Sequence, residues 1–306
     1  MEDMFRNPLQ DASAIKRRTD VFWFFQEANV HFSFDVQQVS LMREYLDGGS
    51  GGNAVSSMIN ILAKKVLSSL TRDERYKKIV QGMQATIVTL SHCAAMAALL
   101  SNATGPFADH IQKIRDILND PQLEKFRNID IYKALPLRTL AAYDHLLKSD
   151  FAGWMEDILL FIHELDVYIA VSDVSRQRGF TYANALAPEE NRLEAIGLAH
   201  PCIVNGVGNS IMMEENSNVL FLTGANMAGK STLMKSVGIG LYLAHIGFPV
   251  AATSMVFSVR EGLYTSINVA DNIGLGYSHY YAEVVRVKQA AVAAAGAGPL
   301  LLMFDG

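Results

Sequence analysis

The residues best suited to chemistry lie late in the chain. Gly224-Ala225-Asn226-Met227-Ala228-Gly229-Lys230-Ser231-Thr232 carries two glycines, a lysine and hydroxyls at the spacing G-x-x-x-x-G-K-[ST]. That set suits the binding of a polyphosphate. Glycines let the backbone curl with no Cβ in the way. The curled N–H groups then face inward and make an anion nest at the start of a helix. Lys230 is expected to reach the β- and γ-phosphates of ATP, and the Ser231 hydroxyl to bind Mg²⁺. A second set is Leu300-Leu301-Leu302-Met303-Phe304-Asp305, five apolar residues ending in an acid. A fully apolar run suits a strand covered on both faces of a parallel sheet. An acid at the C-terminal end of such a strand sits where ligands of these sheets bind. Alone, the hexamer reads as an ordinary strand followed by a turn aspartate. Downstream of a phosphate loop, Asp305 is expected to serve the same Mg²⁺.

These side chains need a strand before the loop, a helix after it and a sheet to carry the acid. Val219 to Leu222 reads as a buried strand, and 233–244 reads as a helix. Short strand-like runs at 181–183, 203–204, 210–213, 250–257 and 262–267 alternate with turns, and a helix over about 282–295 precedes the last strand. The first 190 residues read instead as almost wholly helical. Asp11 caps a helix whose Ile15, Val21, Phe22, Phe24 and Phe25 lie mostly on one broad face. Further helices are expected over about 35–46, 54–70, 73–101, 107–118, 121–126, 131–147 and 151–178. In the longest of the middle ones, Ile79, Met83, Ile87, Leu90, Ala94 and Ala97 recur every three to four residues. The run Gly48-Gly49-Ser50-Gly51-Gly52-Asn53 reads as a flexible loop.

The 306 residues, half of them hydrophobic, have room for two domains or one large one with a sizeable core. A net charge of −5 argues against a broad basic face that holds DNA by charge alone, and leaves room for a local basic patch. Cys93 and Cys202 have no metal-ligand spacing and fit a reducing cytosol. The N-terminus has no apolar leader-like stretch. No uninterrupted apolar run reaches the ~18 residues of a membrane span. The expectation is a cytoplasmic protein with no membrane segment.

Several stretches together resemble the MutS family of DNA mismatch-repair ATPases. The loop is close to that family's T-G-P-N-M-x-G-K-S-T, with Ala225 in the proline position. Ala199-His200-Pro201 resembles the His-Pro step that precedes its nucleotide site. Ala244-His245-Ile246-Gly247-Phe248-Pro249-Val250-Ala251-Ala252 resembles its A-x-x-G-x-x-V-P-A segment, with the proline displaced. Asp271 through Ser278 to Glu283 resembles its D-x-x-x-x-x-x-S-x-F-x-x-E signature. Asn7-Pro8-Leu9 through Ile15 and Arg18 resembles the start of its helical core. The likeness is specific over about 195–305 and diffuse over 1–190.

The resemblance implies an α plus α/β chain. A helical core and lever domain over 1–190 would be followed, over 191–306, by the first part of an ABC-type P-loop ATPase domain. It implies that Gly224, Ala225, Asn226, Met227, Ala228, Gly229, Lys230, Ser231 and Thr232 bind ATP and Mg²⁺. Asp305 would hold Mg²⁺ through water, and Ile203 and Val204 would pack on the adenine. Ser278 would touch the γ-phosphate of the other subunit in a homodimer. DNA is the partner implied for the parent protein. Three departures accompany the likeness. Gly306 stands where the family has a water-polarising Glu, and the sequence stops there, as if truncated. The mismatch-reading and connector domains do not precede the helical part. The helical part is short. Phe25-Gln26-Glu27 matches the mismatch-reading F-x-E pattern, but lies in an apolar helix and reads as core. A non-hydrolysing structural or interaction fragment, or an ABC-type ATPase of another class, are the competing readings.

Overall fold

The computed structural model describes residues 1–30, 32–49, 54–70, 74–101, 107–133, 135–225, 227–267, 279–296 and 298–305. The helices in chain order are α1 (Glu2–Arg6), α2 (Ala12–Ala28), α3 (Val36–Asp47), α4 (Ala54–Leu70), α5 (Arg75–Leu99), α6 (Ala108–Leu118), α7 (Pro121–Arg127), α8 (Leu137–His145), α9 (Ala152–Arg178), α10 (Lys230–His245) and α11 (His279–Gly296). The strands are β1 (Asn184–Leu186), β2 (Leu193–Leu198), β3 (Asn209–Met213), β4 (Ser254–Ser258), β5 (Gly262–Ser266) and β6 (Leu300–Phe304). The helical region followed by a mixed α/β region is the class expected. The chain forms two compact units, one of Met1–Val30 with Tyr168–Gly306, the other His31–Val167.

The regular elements of the second unit, among the described residues, are all helices. α5 is long and apolar enough to cross a membrane by length and composition, yet more than half of its most apolar window is buried. Ile79, Met83, Ile87, Leu90, Cys93 and Met96 all lie in the core, as the three-to-four spacing requires. α3 crosses α5 at Gly82, where an added Cβ would stand 2.3 Å from Tyr45 Cβ. Asp35 caps α3 by accepting from the Gln37 N–H at 2.8 Å. The helix expected over 131–147 begins only at Leu137. Pro136 disfavours helical backbone in the residue before it, and the Asp130 carboxylate holds a turn by accepting from the Tyr132 N–H.

α8 runs into one π turn, Leu146–Asp150, closed by the Phe151 N–H donating to Leu146 O at 2.8 Å. This turn carries Lys148, whose side chain is 5 % exposed and lies 3.0 Å from Asp144. Its Nζ also donates to Gly48 O at 2.8 Å and stands 4.0 Å over the Tyr45 ring. Burial lowers the Lys148 pKa and the Asp144 charge opposes that. The tie reaches the first residue of the glycine run; residues 50–53 of that run lie outside the described residues.

In the first unit a four-stranded sheet has the order β1-β4-β2-β3. β1 is parallel to β4, and β2 runs antiparallel to both β4 and β3. β5 and β6 form a separate parallel pair, register Gly262 to Leu300. Its core joins Ile15 of α2 to Leu193, Leu198, Val237, Leu241, Phe257, Leu301 and Met303. β2 at the heart of the sheet was not legible in the sequence, because Glu194 and Gly197 break its apolar run. Residues 203–204, expected as strand, form a turn.

α2 begins as expected, with the Asp11 carboxylate accepting from the Ala14 N–H at 2.8 Å. Phe22 and Phe25 are fully buried and Phe24 is half-buried. Phe25 is therefore a core side chain and not an exposed reading residue. Phe22 meets Tyr168 of α9 edge-on at 5.0 Å.

Two glycine substitutions separate packing from helix propensity. Replacing an interior glycine by alanine gains up to ~1 kcal/mol of helix propensity. At Gly82 the new methyl meets the root of Tyr45, which has no flexible end to swing away, and overpacking of this kind costs ~1–3 kcal/mol or more. Gly82→Ala should lower the denaturation midpoint. Gly153→Ala, in open space in the first turn of α9, should leave it unchanged or raise it slightly. Urea unfolding of both variants checks the contrast.

Candidate functional site

α10 starts at the loop singled out in the sequence. Its N-cap is Gly229, with φ +88° and no side-chain cap hydrogen bond. A residue with a Cβ adopts that left-handed backbone at a cost of ~1–2 kcal/mol. The Leu233 N–H donates to Gly229 O at 2.9 Å. The amides of Lys230, Ser231 and Thr232, earlier in the turn, have no acceptor within the helix. They carry the positive end of the helix dipole into an exposed loop. Met227 stands fully exposed in that loop.

Lys230 folds back over the loop, its Nζ donating to Gly224 O at 2.8 Å and to Ala225 O at 3.0 Å. An arriving phosphate would replace a neutral acceptor by a charged one, a hydrogen bond roughly twice as strong. The Ser231 hydroxyl donates to Asp305 Oδ2 at 2.5 Å. Asp305 follows β6, and its own N–H donates to Ser266 O at 2.9 Å. Lys230, Ser231 and Asp305 thus converge at one helix start, although 74 residues separate the last two. Among the described residues no group of three His, Cys, Asp or Glu side chains is placed to hold a metal. A cation at Ser231 and Asp305 would need phosphate oxygens and water to complete its shell, which is how Mg²⁺ is ordinarily held beside a nucleotide.

Other expected site residues are placed differently. Ile203 and Val204 are exposed in a turn whose hydrogen bonds are local. The Ile203 N–H donates to His200 O, and the Cys202 N–H donates to His200 Nδ1 at 3.2 Å. Asn226 and Ser278 lie outside the described residues, with most of the 271–283 signature. Residues 219–222 were expected as a buried strand. They belong to no sheet among the described residues, and Val219 and Phe221 are 75 % and 88 % exposed. Apolar sequence makes a strand only where a neighbouring backbone takes its hydrogen bonds. Beside this segment lies a cavity of about 860 Å³, walled by Leu222, Leu233, Val237, Leu301 and Met303 and reaching Lys230 and Asp305.

The far end of α10 is held from the N-terminal segment. The Leu9 N–H donates to His245 O at 3.0 Å, and Leu9 O lies 3.0 Å from His245 Nδ1. The Arg260 N–H donates to His245 Nε2 at 3.2 Å, so the ring proton sits on Nδ1 and is given to Leu9 O. Arg18 Nη1 donates to Ile246 O at 3.1 Å. Its side chain lies against Gly247, where φ is +72° and a Cβ would stand 3.1 Å from Arg18 Cβ. Two stretches quoted from opposite ends of the sequence therefore touch.

Comparison with known proteins bears on this arrangement directly. Residues 220–305 match the family model MutS domain V. The DNA mismatch repair protein MutS of Lysinibacillus sphaericus (strain C3-41) is 28 % identical over 166 residues, 51 % of this chain and 19 % of that protein. Its namesake from Geobacillus thermodenitrificans (strain NG80-2) is 32 % identical over 163 residues, 51 % of this chain and 18 % of that protein. Residues 220–305 are thus similar to MutS domain V, and about half of the chain is similar to these two proteins. The matches take in less than a fifth of the length of these relatives. The MutS domain V match runs from the exposed segment before the loop to Asp305, so it contains Lys230, Ser231 and Asp305.

Within this MutS-like stretch, sequence reasoning missed the residues that seat α10. Gly238 lets the helix close on β6, where an added Cβ would be 2.7 Å from Met303 Cε, and Gly240 does the same against Leu198 of β2, at 3.2 Å. The signal was present as Gly238-Ile239-Gly240, two glycines at a spacing of two inside a helix, each costly in propensity. His245 was quoted only as part of a motif, and nothing in its sequence neighbourhood announced Arg260 as a partner.

The His245 clamp titrates. Burial lowers its pKa below the ordinary 6.5, and the nearby Arg260 charge adds to this, while the bond to Leu9 opposes it. Below pH 6.5 the unfolded chain therefore binds a proton that the folded chain resists. Stability should fall as pH drops from 6.5 toward the folded-state value, by at most ~1.4 kcal/mol per pH unit from this group. His245→Gln should be less stable at pH 7.5 and show a shallower loss between pH 6.5 and 5. Urea midpoints across that range for both proteins check the sign; parallel curves would remove His245 from the account.

Proposed function

We propose that this chain binds ATP with Mg²⁺ at the start of α10 and passes the bound state to its helical part, as one section of a mismatch-repair or related DNA-maintenance protein. The observation that carries the proposal is the convergence of Lys230, Ser231 and Asp305 at an open helix N-terminus, inside the stretch that matches MutS domain V. The loop amides and Lys230 would hold the phosphates. Ser231 and Asp305 would hold Mg²⁺, which when bound neutralises charge on the phosphate oxygens. Thr232 would assist at the phosphates, and Asn226 and Ser278 keep the roles that the family likeness gives them. Ile203 and Val204 remain the proposed adenine contacts, their exposure leaving them free to pack on a base.

Coupling is supported by what holds α10. Its end is tied to Leu9 and Arg18. Phe248, just beyond that end, packs edge-on against Phe22 of α2 at 5.1 Å, and Phe22 packs on Tyr168 of α9. In this reading residues 1–190 are the helical core and lever and 191–306 the first part of the ATPase domain. The proteins it matches are named for DNA mismatch repair, and DNA and a second subunit are the proposed partners. Cys93 and Cys202 are free thiols, which suits a reducing cytoplasm. The proposal is one of binding and coupling. Among the described residues, Asp305 is the carboxylate hydrogen-bonded at the loop, and no water-orienting group is assigned.

Lys230→Ala removes the ammonium, and a charge-assisted contact is worth ~1.5–3 kcal/mol. Affinity for a non-hydrolysable ATP analogue with Mg²⁺ should fall by roughly 10- to 100-fold on that basis. Asp305→Asn should mainly shrink the gain that Mg²⁺ gives. Calorimetric titration of the three proteins with and without Mg²⁺ measures both. Equal affinities for the parent chain and Lys230→Ala would reject the phosphate-binding role.

A further inference from the structure

The turn that carries Ile203 and Val204 is held from the end of α9. Arg178 is the last residue of that helix. Gly179 follows with φ +65°. The Phe180 N–H donates to Ser175 O at 2.9 Å, and the Gly179 N–H to Arg176 O at 3.4 Å. This pair of bonds is a left-handed helix stop, and it fixes the backbone from which Arg178 reaches out. The buried Ser175 hydroxyl adds a bond to Phe180 O at 3.2 Å. Next, Thr181 and Val250 exchange both backbone hydrogen bonds, at 3.0 and 2.7 Å. The Ala199 N–H then donates to Ala251 O at 2.8 Å. Beside the local bonds of the turn, Arg178 Nη1 donates to Pro201 O at 2.7 Å. That contact closes a circuit of hydrogen bonds through the end of α9, residues 250–251 and the turn. Arg176, two residues earlier, is held differently, by Asp173.

We propose that Arg178 is a positioning residue for the nucleobase: it sets the turn that presents Ile203 and Val204, and it passes occupancy of the base contact to the end of α9. The proposal rests on the nucleotide reading above and adds a base-side route to the phosphate-side route through α10. The geometry of the turn favours it. Proline locks φ at position 201, and a bond to its carbonyl holds the planar peptide that follows. The direction in which the chain leaves toward Ile203 and Val204 is then set. These side chains are 47 % and 77 % exposed, so packing does little to fix them, and a turn ordered in advance lowers the cost of binding. Arginine suits the task, because its planar guanidinium loses little freedom per hydrogen bond formed. Arg178 acts through Pro201, so a ligand without a base should not sense it.

The test is calorimetry on the full chain with Mg²⁺, using a non-hydrolysable ATP analogue and inorganic tripolyphosphate as the two probes. Arg178→Ala should weaken the analogue by roughly three- to tenfold, the range of one net hydrogen bond, and leave tripolyphosphate within about twofold of the parent chain, less than that bond's effect. Arg178→Lys keeps one donor and should recover part of the loss. Lys230→Ala should weaken both probes. Amide exchange should show 200–205 faster in free Arg178→Ala, and 176–181 slowed in the parent chain by the analogue but not by tripolyphosphate. Unchanged analogue affinity in Arg178→Ala, alongside a loss in Lys230→Ala, would overturn this proposal and leave the nucleotide reading standing. Equal losses for both probes in Arg178→Ala would overturn the base role. Binding of neither probe in a Lys230-dependent way would reject the nucleotide reading and this proposal with it.

Discussion

The arrangement depends on α10 being fixed at both ends. A helix of 16 residues is marginal alone in water, and most of its stability must come from packing. Here Val237 and Leu241 join the core that Leu301 and Met303 of β6 also enter, and Gly238 removes the side chain that would hold β6 away. That close approach is what lets the Ser231 hydroxyl meet Asp305. At the other end, three groups grip one turn: Leu9 takes the ring proton of His245, Arg260 supplies a backbone donor to the same ring, and Arg18 bonds to Ile246 O. A phosphate drawn to the first turn would pull on a rod whose far end is already anchored.

The anchor also explains why the first thirty residues fold with the α/β half. Ile15 sits at 0 % exposure among the strands, Phe22 lies against both Phe248 and Tyr168, and the Ser172 hydroxyl donates to Phe22 O at 2.9 Å. The aromatic cluster in α2 is therefore a joint between α9 and the end of α10. Tyr168 belongs to the same unit as the loop at the start of α10, while α9 itself begins at Ala152.

Much of this was legible in the sequence where local rules dominate. A helix start at the glycine-lysine loop was readable, because Gly229 can take the left-handed backbone from which α10 begins. The cap at Asp11 and the apolar period of α5 follow from side-chain chemistry within a turn or two. What stayed hidden depends on partners far along the chain. β2 carries Glu194 and Gly197, and becomes a strand because β3 and β4 flank it. Residues 219–222 have the composition of a strand and lack a pairing neighbour among the described residues. His245, Arg260 and Gly238 take their meaning from residues as distant as Leu9 and Met303. The Lys148, Asp144 and Tyr45 cluster likewise needed the π turn after α8, which no periodicity announces.

The central claim is that occupancy of the loop is felt at the other end of α10. Amide hydrogen exchange of the full chain, with and without an ATP analogue and Mg²⁺, tests it most directly, with Lys230→Ala as the unbound control. The account predicts slower exchange at 224–235, together with slower exchange at 244–248 and in α2 around Phe22, both absent in Lys230→Ala. Protection confined to the loop and the first turn of α10, with 244–248 and α2 unchanged, would contradict it.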